Sequence, residues 1–155
     1  MLDIVLVEPE IPQNTGAIAR LCAATGCRLQ LVGPLGFSLD DRNLKRAGLD
    51  YWRNLNVGLH RDLETCLSTL GDRPFYLLSR KACRRYTDIP FTPDDVLVFG
   101  KESVGLPEPL LARHPDRGFR LPIRTTCVRS LNLAGAVHAV VYAALARLEF
   151  PGIEE

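Results

Sequence analysis

One stretch near the end of the chain, RSLNLAGAVHAVVYAAL at residues 129–145, limits the possible fold more than any other. Polar Arg129, Ser130 and Asn132 open it, and behind them runs a nearly unbroken series of small and apolar side chains. At helical spacing that series is apolar on almost every side, so it reads as a rod packed inside the molecule. Ser130 is the expected N-cap, because its hydroxyl can accept one of the backbone N–H bonds that a helix start leaves unmade. The remaining amides and the positive end of the helix dipole favour an anion or an electron-rich ligand at that mouth.

Upstream, short apolar runs alternate with helical patterns. Residues 2–7, 28–32, 55–59, 75–78 and 96–99 read as buried strands, and a sixth strand ends just before Leu121. Between them, EPEIPQNTG is turn chemistry leading to a helix capped at Asn14 or Thr15 and stopped by Gly26. A short helix capped by Asp40 or Asp41 precedes a turn at Gly48, and residues 62–70 form an amphipathic helix ended by Gly71. This alternation predicts an α/β fold with a mostly parallel sheet. With 155 residues, a single domain spanning 1–155 is expected.

Composition, 46% hydrophobic and 24% charged, is that of an ordinary globular protein. No apolar run reaches the roughly 20 residues of a membrane span, and acids stand where a leader peptide would be basic, so a cytoplasmic protein is expected. Cys22, Cys27, Cys66, Cys83 and Cys127 form no CxxC pair; reduced, structural thiols and no metal site are expected. His60, His114 and His138 fall in no nucleophile–base grouping. A net charge of +1 argues against a general polyanion binder, yet the cations cluster. Arg80, Lys81, Arg84 and Arg85 make one group, and Arg42, Lys45, Arg46 and Arg53 another; each is either a solvated face or a set of phosphate contacts.

Ligands of parallel α/β sheets sit beyond the carboxyl ends of the strands. Three loops there are unusual: PQNTG, FGKESVGLP and LPIRTTCVRSLN. Gly100 and Gly105 flank charged Lys101 and Glu102, which suits a backbone that approaches a flat ligand closely. Leu121 and Ile123 either present backbone groups to the edge of a base or simply end a strand. Neither GxGxxG nor GxxxxGK[ST] occurs, which disfavours an ordinary dinucleotide site and a phosphate-cradling loop.

NTGAIAR, FGKESVGLP and RSLNLAGAVHAVVYAAL, in this order, resemble the three signature motifs of the SPOUT superfamily of RNA methyltransferases. With RAGLDYW and the terminal FPG, the chain is similar over almost its whole length to the small TrmL/YibK-type tRNA 2′-O-methyltransferases. The resemblance implies a Rossmann-like sheet with a C-terminal deep trefoil knot. It implies a homodimer packed through the first and last helices, and S-adenosylmethionine as cofactor, with S-adenosylhomocysteine as product. It implies transfer to the ribose of the wobble nucleotide, cytidine or modified uridine, in the tRNA anticodon loop. The alternatives are another tRNA site, ribosomal RNA, or an RNA-binding module that has lost catalysis.

By the same resemblance Arg20, Asn14, Ser130 and Asn132 serve catalysis. Leu78, Gly100, Glu102, Gly105, Leu121, Ile123 and Ser130 hold the cofactor. From charge alone the basic loop RKACRR, with Arg80, Lys81, Arg84 and Arg85, is the first candidate for RNA contact, and Arg129 contacts RNA phosphate or the cofactor's carboxylate. No metal is implied. Where relatives commonly carry NLSNAV this chain has NLAGAV, so hydrogen bonds from polar side chains at Ala134 and Gly135 do not carry over. RTTCV, before Arg129, is also one residue longer than the usual loop.

Overall fold

The first strand, β1 (Asp3–Val7), is buried at all five positions. A strand with no wet face belongs in the middle of a covered sheet. In the computed structural model, which describes residues 1–40, 42, 46, 52 and 55–153, it lies there. The other strands are β2 (Arg28–Val32), β3 (Val57–His60), β4 (Phe75–Leu78), β5 (Arg84–Arg85), β6 (Val96–Phe99) and β7 (Gly118–Arg120). They form one sheet in the order β3-β2-β1-β6-β4-β7-β5, and every pairing is parallel.

Parallel pairing requires long crossovers, and helices supply them. The described helices are α1 (Pro12–Thr25), α2 (Leu63–Leu70), α3 (Glu108–Arg113) and α4 (Leu133–Arg147). Alternation along β1 divides the core. Ile4 and Leu6 join Ile18, Leu21, Phe99, Phe119, Val137 and Val141 on the face covered by α1 and α4. Val5 and Val7 join Cys66, Leu77, Val98 and Leu110 on the face covered by α2 and α3. One register row, Leu31–Leu6–Phe99–Leu78–Phe119, crosses the sheet near its carboxyl ends.

Several expected boundaries move. Helix α1 begins at Pro12, with Ile11 as N-cap and no side-chain cap of its own, so Asn14 and Thr15 lie inside its first turn rather than capping it. Helix α4 begins at Leu133, and its cap is Asn132, whose Oδ1 accepts from the Gly135 amide at 3.2 Å; Ser130 is not the cap. Part of RKACRR, expected as a loop, is the edge strand β5. Asp62 caps α2 through the Thr65 amide at 2.7 Å, which holds its carboxyl below the usual range. Asp41, Lys45, Gly48, Arg53 and most of RAGLDYW lie outside the described residues, while Arg42 and Arg46 are exposed and Trp52 packs on the core.

All five cysteines are free thiols. Cys22, Cys27 and Cys66 are buried, and burial pushes the Cys66 thiol up to about 12; Cys83 and Cys127 are exposed. Among the described residues no helix is long and apolar enough to cross a membrane.

The amino end of the sheet is closed by Asp3, which is fully buried. Its carboxylate accepts from Arg28 Nε at 3.0 Å, Gln30 Nε2 at 2.7 Å and the guanidinium of Arg73. Gln30 Oε1 in turn faces His60 Nε2 at 2.8 Å, across Gly58, where any side chain would collide with Gln30. Breaking a buried pair by removing one partner leaves the other charge uncompensated. Replacing Asp3 by Ala is expected to cost about 3 kcal/mol, read as a fall in Tm of roughly 6–12 °C by calorimetry.

Candidate active site

The loops beyond β4, β6 and β7 surround a cavity of about 450 Å³. Its apolar wall is made by Leu78, Phe99, Leu121, Ile123, Leu133 and Ala136, and polar groups at its rim come from Arg80, Lys101, Ser103, Arg129 and Ser130. Asn14 and Ile11 reach it from the start of α1, and Asn132 from the start of α4. It therefore lies where parallel α/β sheets place their ligands.

Glycine shapes the wall at two points. A Cβ on Gly100 would stand 2.2 Å from the Gly105 carbonyl carbon and the Leu106 nitrogen, so the 100–106 loop closes on itself only because residue 100 has no side chain. Gly105 has a φ of +72°, a left-handed conformation that glycine adopts freely. Its amide donates to the Lys101 carbonyl at 2.9 Å, completing the turn.

That loop is bolted to the segment leaving β1. The Glu102 carboxylate accepts from the backbone amides of Glu10 at 2.8 Å and Ile11 at 3.1 Å, and from Asn14 Nδ2 at 3.2 Å. It thus supplies the missing N-terminal cap of α1 from 88 residues or more away in sequence. Reciprocally, the Glu10 carboxylate accepts from the amide and the hydroxyl of Ser103, both at 2.9 Å, and Lys101 Nζ pairs with Glu8 Oε2 at 3.0 Å. The relay continues, since Asn14 Oδ1 accepts from Asn132 Nδ2 at 2.9 Å. One chain of hydrogen bonds joins the loop after β6, the start of α1 and the start of α4.

The structure brings Asn14, Leu78, Arg80, Gly100, Glu102, Gly105, Leu121, Ile123, Arg129, Ser130 and Asn132 together around the cavity. It does not place Arg20, Lys81, Arg84 or Arg85 there. Arg20 is exposed on α1. Lys81 pairs with Glu108 at 2.9 Å, and Arg84 lies 4.2 Å over the Phe119 ring and donates to the Asp116 carbonyl. Glu8, Glu10 and Ser103 escaped notice in the sequence. The available signal was charge order, because acids at 8 and 10 follow the first strand while Lys101 and Ser103 follow β6, its neighbour in the sheet.

Two outcomes follow from this geometry. Gly100→Ala forces backbone apart and is expected to cost about 1–3 kcal/mol and to abolish ligand binding at the cavity, checked by denaturant titration and calorimetry. The Ser103 hydrogen bonds hold the Glu10 carboxyl below its ordinary 4.5. Their stabilisation is therefore complete above that pH and is lost as pH falls beneath it. Ligand affinity measured against pH should weaken on the acid side in wild type, and Glu10→Gln should flatten that loss.

Comparison with known proteins agrees with the geometry. The tRNA (cytidine(34)-2′-O)-methyltransferase of Methylovorus glucosotrophus is 47% identical over 153 residues, covering 98% of this chain and 99% of its own length. A structure solved for the 2-OH methylation of C/U34 on tRNA superposes with a TM-score of 0.90 at 43% identity, covering 96% of this chain and 97% of that one. The SpoU methyltransferase AviRb of Streptomyces viridochromogenes, in complex with AdoMet, shares the fold at a TM-score of 0.83 and 22% identity, over 96% of this chain and 58% of that one. The model of the SpoU rRNA Methylase family matches residues 1–142. With the parallel sheet and the cavity at its carboxyl end, that match makes the chain a member of the SpoU rRNA Methylase family.

Proposed function

We propose that the protein transfers a methyl group from S-adenosylmethionine to the ribose 2′ oxygen of the wobble nucleotide, cytidine or modified uridine, in the tRNA anticodon loop. The observation that carries this reading is a preformed cavity at the carboxyl ends of β4, β6 and β7, in a chain that aligns end to end with a tRNA (cytidine(34)-2′-O)-methyltransferase.

The residues fit the cofactor. The cavity falls within the ~300–1,000 Å³ of small-ligand sites, with an apolar wall for a base and loop backbone for its edge. Leu78, Gly100, Gly105, Leu121 and Ile123 are assigned to the adenosine, with Ser130 at the rim. Glu102 has its oxygens on Glu10, Ile11 and Asn14, so its part is to hold the wall. When bound, S-adenosylmethionine supplies an electrophilic methyl group for in-line displacement.

The chain's own task is to position the ribose and ease removal of its hydroxyl proton. Asn14 and Asn132, locked to each other, fix the polar side of the cavity. A guanidinium titrates above ~12, which makes Arg20 a poor base; its role is to orient the target and lower the hydroxyl's pKa as a cation. Arg20 reaches the reaction in a homodimer. The exposed face of α4 carries Gly135, Ala139 and Tyr142 beside α1, and a second copy packed there covers Tyr142 and encloses Arg20. The reading includes a single catalytic domain at work in the cytoplasm. It includes a C-terminal trefoil knot, supported by the placement of β7 between β4 and β5, so that the intervening chain must pass around it.

Purified protein, labelled S-adenosylmethionine and unmodified tRNA decide the matter. Label is expected in the wobble ribose, with Arg20→Ala inactive and Arg20→Lys reduced on the order of 10²-fold, because a point charge does not reproduce a planar fork. Full activity of Arg20→Lys would remove the requirement for a guanidinium. Label in ribosomal RNA and not in tRNA would overturn the substrate.

A further inference from the structure

The outer edge of the sheet, beside the cavity, holds several cations, and most are committed. Arg80 Nη1 donates to the Arg129 carbonyl at 3.1 Å, Lys81 is ion-paired, and Arg84 is stacked. Arg85 and Arg120 differ. They are register partners on the parallel strands β5 and β7, and both are exposed.

Register partners on adjacent parallel strands project from the same face, with strand axes about 4.8 Å apart. Two guanidinium-bearing side chains are therefore neighbours. Among the described residues neither has a carboxylate within ion-pair distance. Asp88, the acid closest to Arg85 in sequence, accepts from the Arg85 backbone amide at 3.3 Å rather than from its guanidinium. Like charges placed side by side across strands are destabilising, and in this arrangement an anion bound between them removes the repulsion. Position adds the second argument. Arg120 is followed directly by Leu121, which lines the cavity, so the pair stands at the carboxyl end of the outermost strands, one residue from the cavity wall.

We propose that Arg85 and Arg120 together form a phosphate-binding site for the RNA backbone that flanks the target nucleotide, setting substrate affinity without touching the reacting atoms. The proposal rests on the RNA 2′-O-methyltransferase reading. Phosphodiester is the fitting ligand because two adjacent planar forks match phosphate oxygens.

The test uses wild type, Arg85→Ala, Arg120→Ala, the double variant and Arg120→Lys. For each, KM and kcat on tRNA, the salt dependence of tRNA binding, S-adenosylhomocysteine affinity and Tm are measured. Each Ala variant is expected to raise KM about fivefold and to reduce the salt slope by about 1. Arg120→Lys should restore most of the slope. Kcat and S-adenosylhomocysteine affinity should stay at wild-type values, and Tm should hold or rise as repulsion is relieved. Ala variants with wild-type KM and slope would overturn the site, as would a loss of Tm in step with the rise in KM. Wild-type protein that methylates no RNA would instead sink the underlying reading, so the two failures are distinct.

Discussion

A single carboxylate, that of Glu102, holds the candidate site in shape. Helix α1 starts at Pro12 with no capping side chain and no acid in its first turn, so its amino end has unmade donors and an uncompensated dipole. Glu102 answers both from the loop after β6, accepting from the Glu10 and Ile11 amides and from Asn14. Charge-assisted hydrogen bonds of this kind are roughly twice as strong as neutral ones. The seating of α1 on the sheet and the form of the cavity wall are thus one event. Because Asn14 also accepts from Asn132, the start of α4 is set by the same event.

This linkage explains what could be read from the chain and what could not. Strands 28–32, 75–78 and 96–99 were legible to the residue, since each is a short, mainly apolar run bounded by turn residues. The start of α1 was misread because its cap is non-local, and no rule based on neighbouring residues finds Glu102 from Asn14. At α4 the expected cap was Ser130, but the helix begins two residues later and Asn132 caps it through the Gly135 amide. Strand β5 was invisible because two exposed arginines carry no hydrophobic signal; its pairing with β7 creates it.

The site divides along the same line. Gly100, Gly105, Leu121 and Ile123 were found because loops at the carboxyl ends of parallel strands are where ligands bind, a property of the fold class. Arg20 came only from resemblance, and in the single chain it lies outside the cavity. The basic run RKACRR was legible as charge, and the structure separates its members. Lys81 and Arg84 are held by Glu108 and Phe119, and only Arg85 of that pair of arginines faces water without such a partner.

That distinction resolves how a chain of net charge +1 can grip a polyanion. At the amino end of the sheet Arg28 and Arg73 both turn to buried Asp3, which offsets one of their two charges. At the carboxyl end Arg85, Arg120 and Arg129 have no carboxylate within ion-pair distance among the described residues. Screening limits each exposed charge to about 8 Å at physiological salt, so the average charge of the molecule matters less than the local excess. Arg85 and Arg120, side by side on β5 and β7, make such an excess at one edge of the sheet. A near-neutral protein can therefore still present a local positive patch to a phosphate backbone.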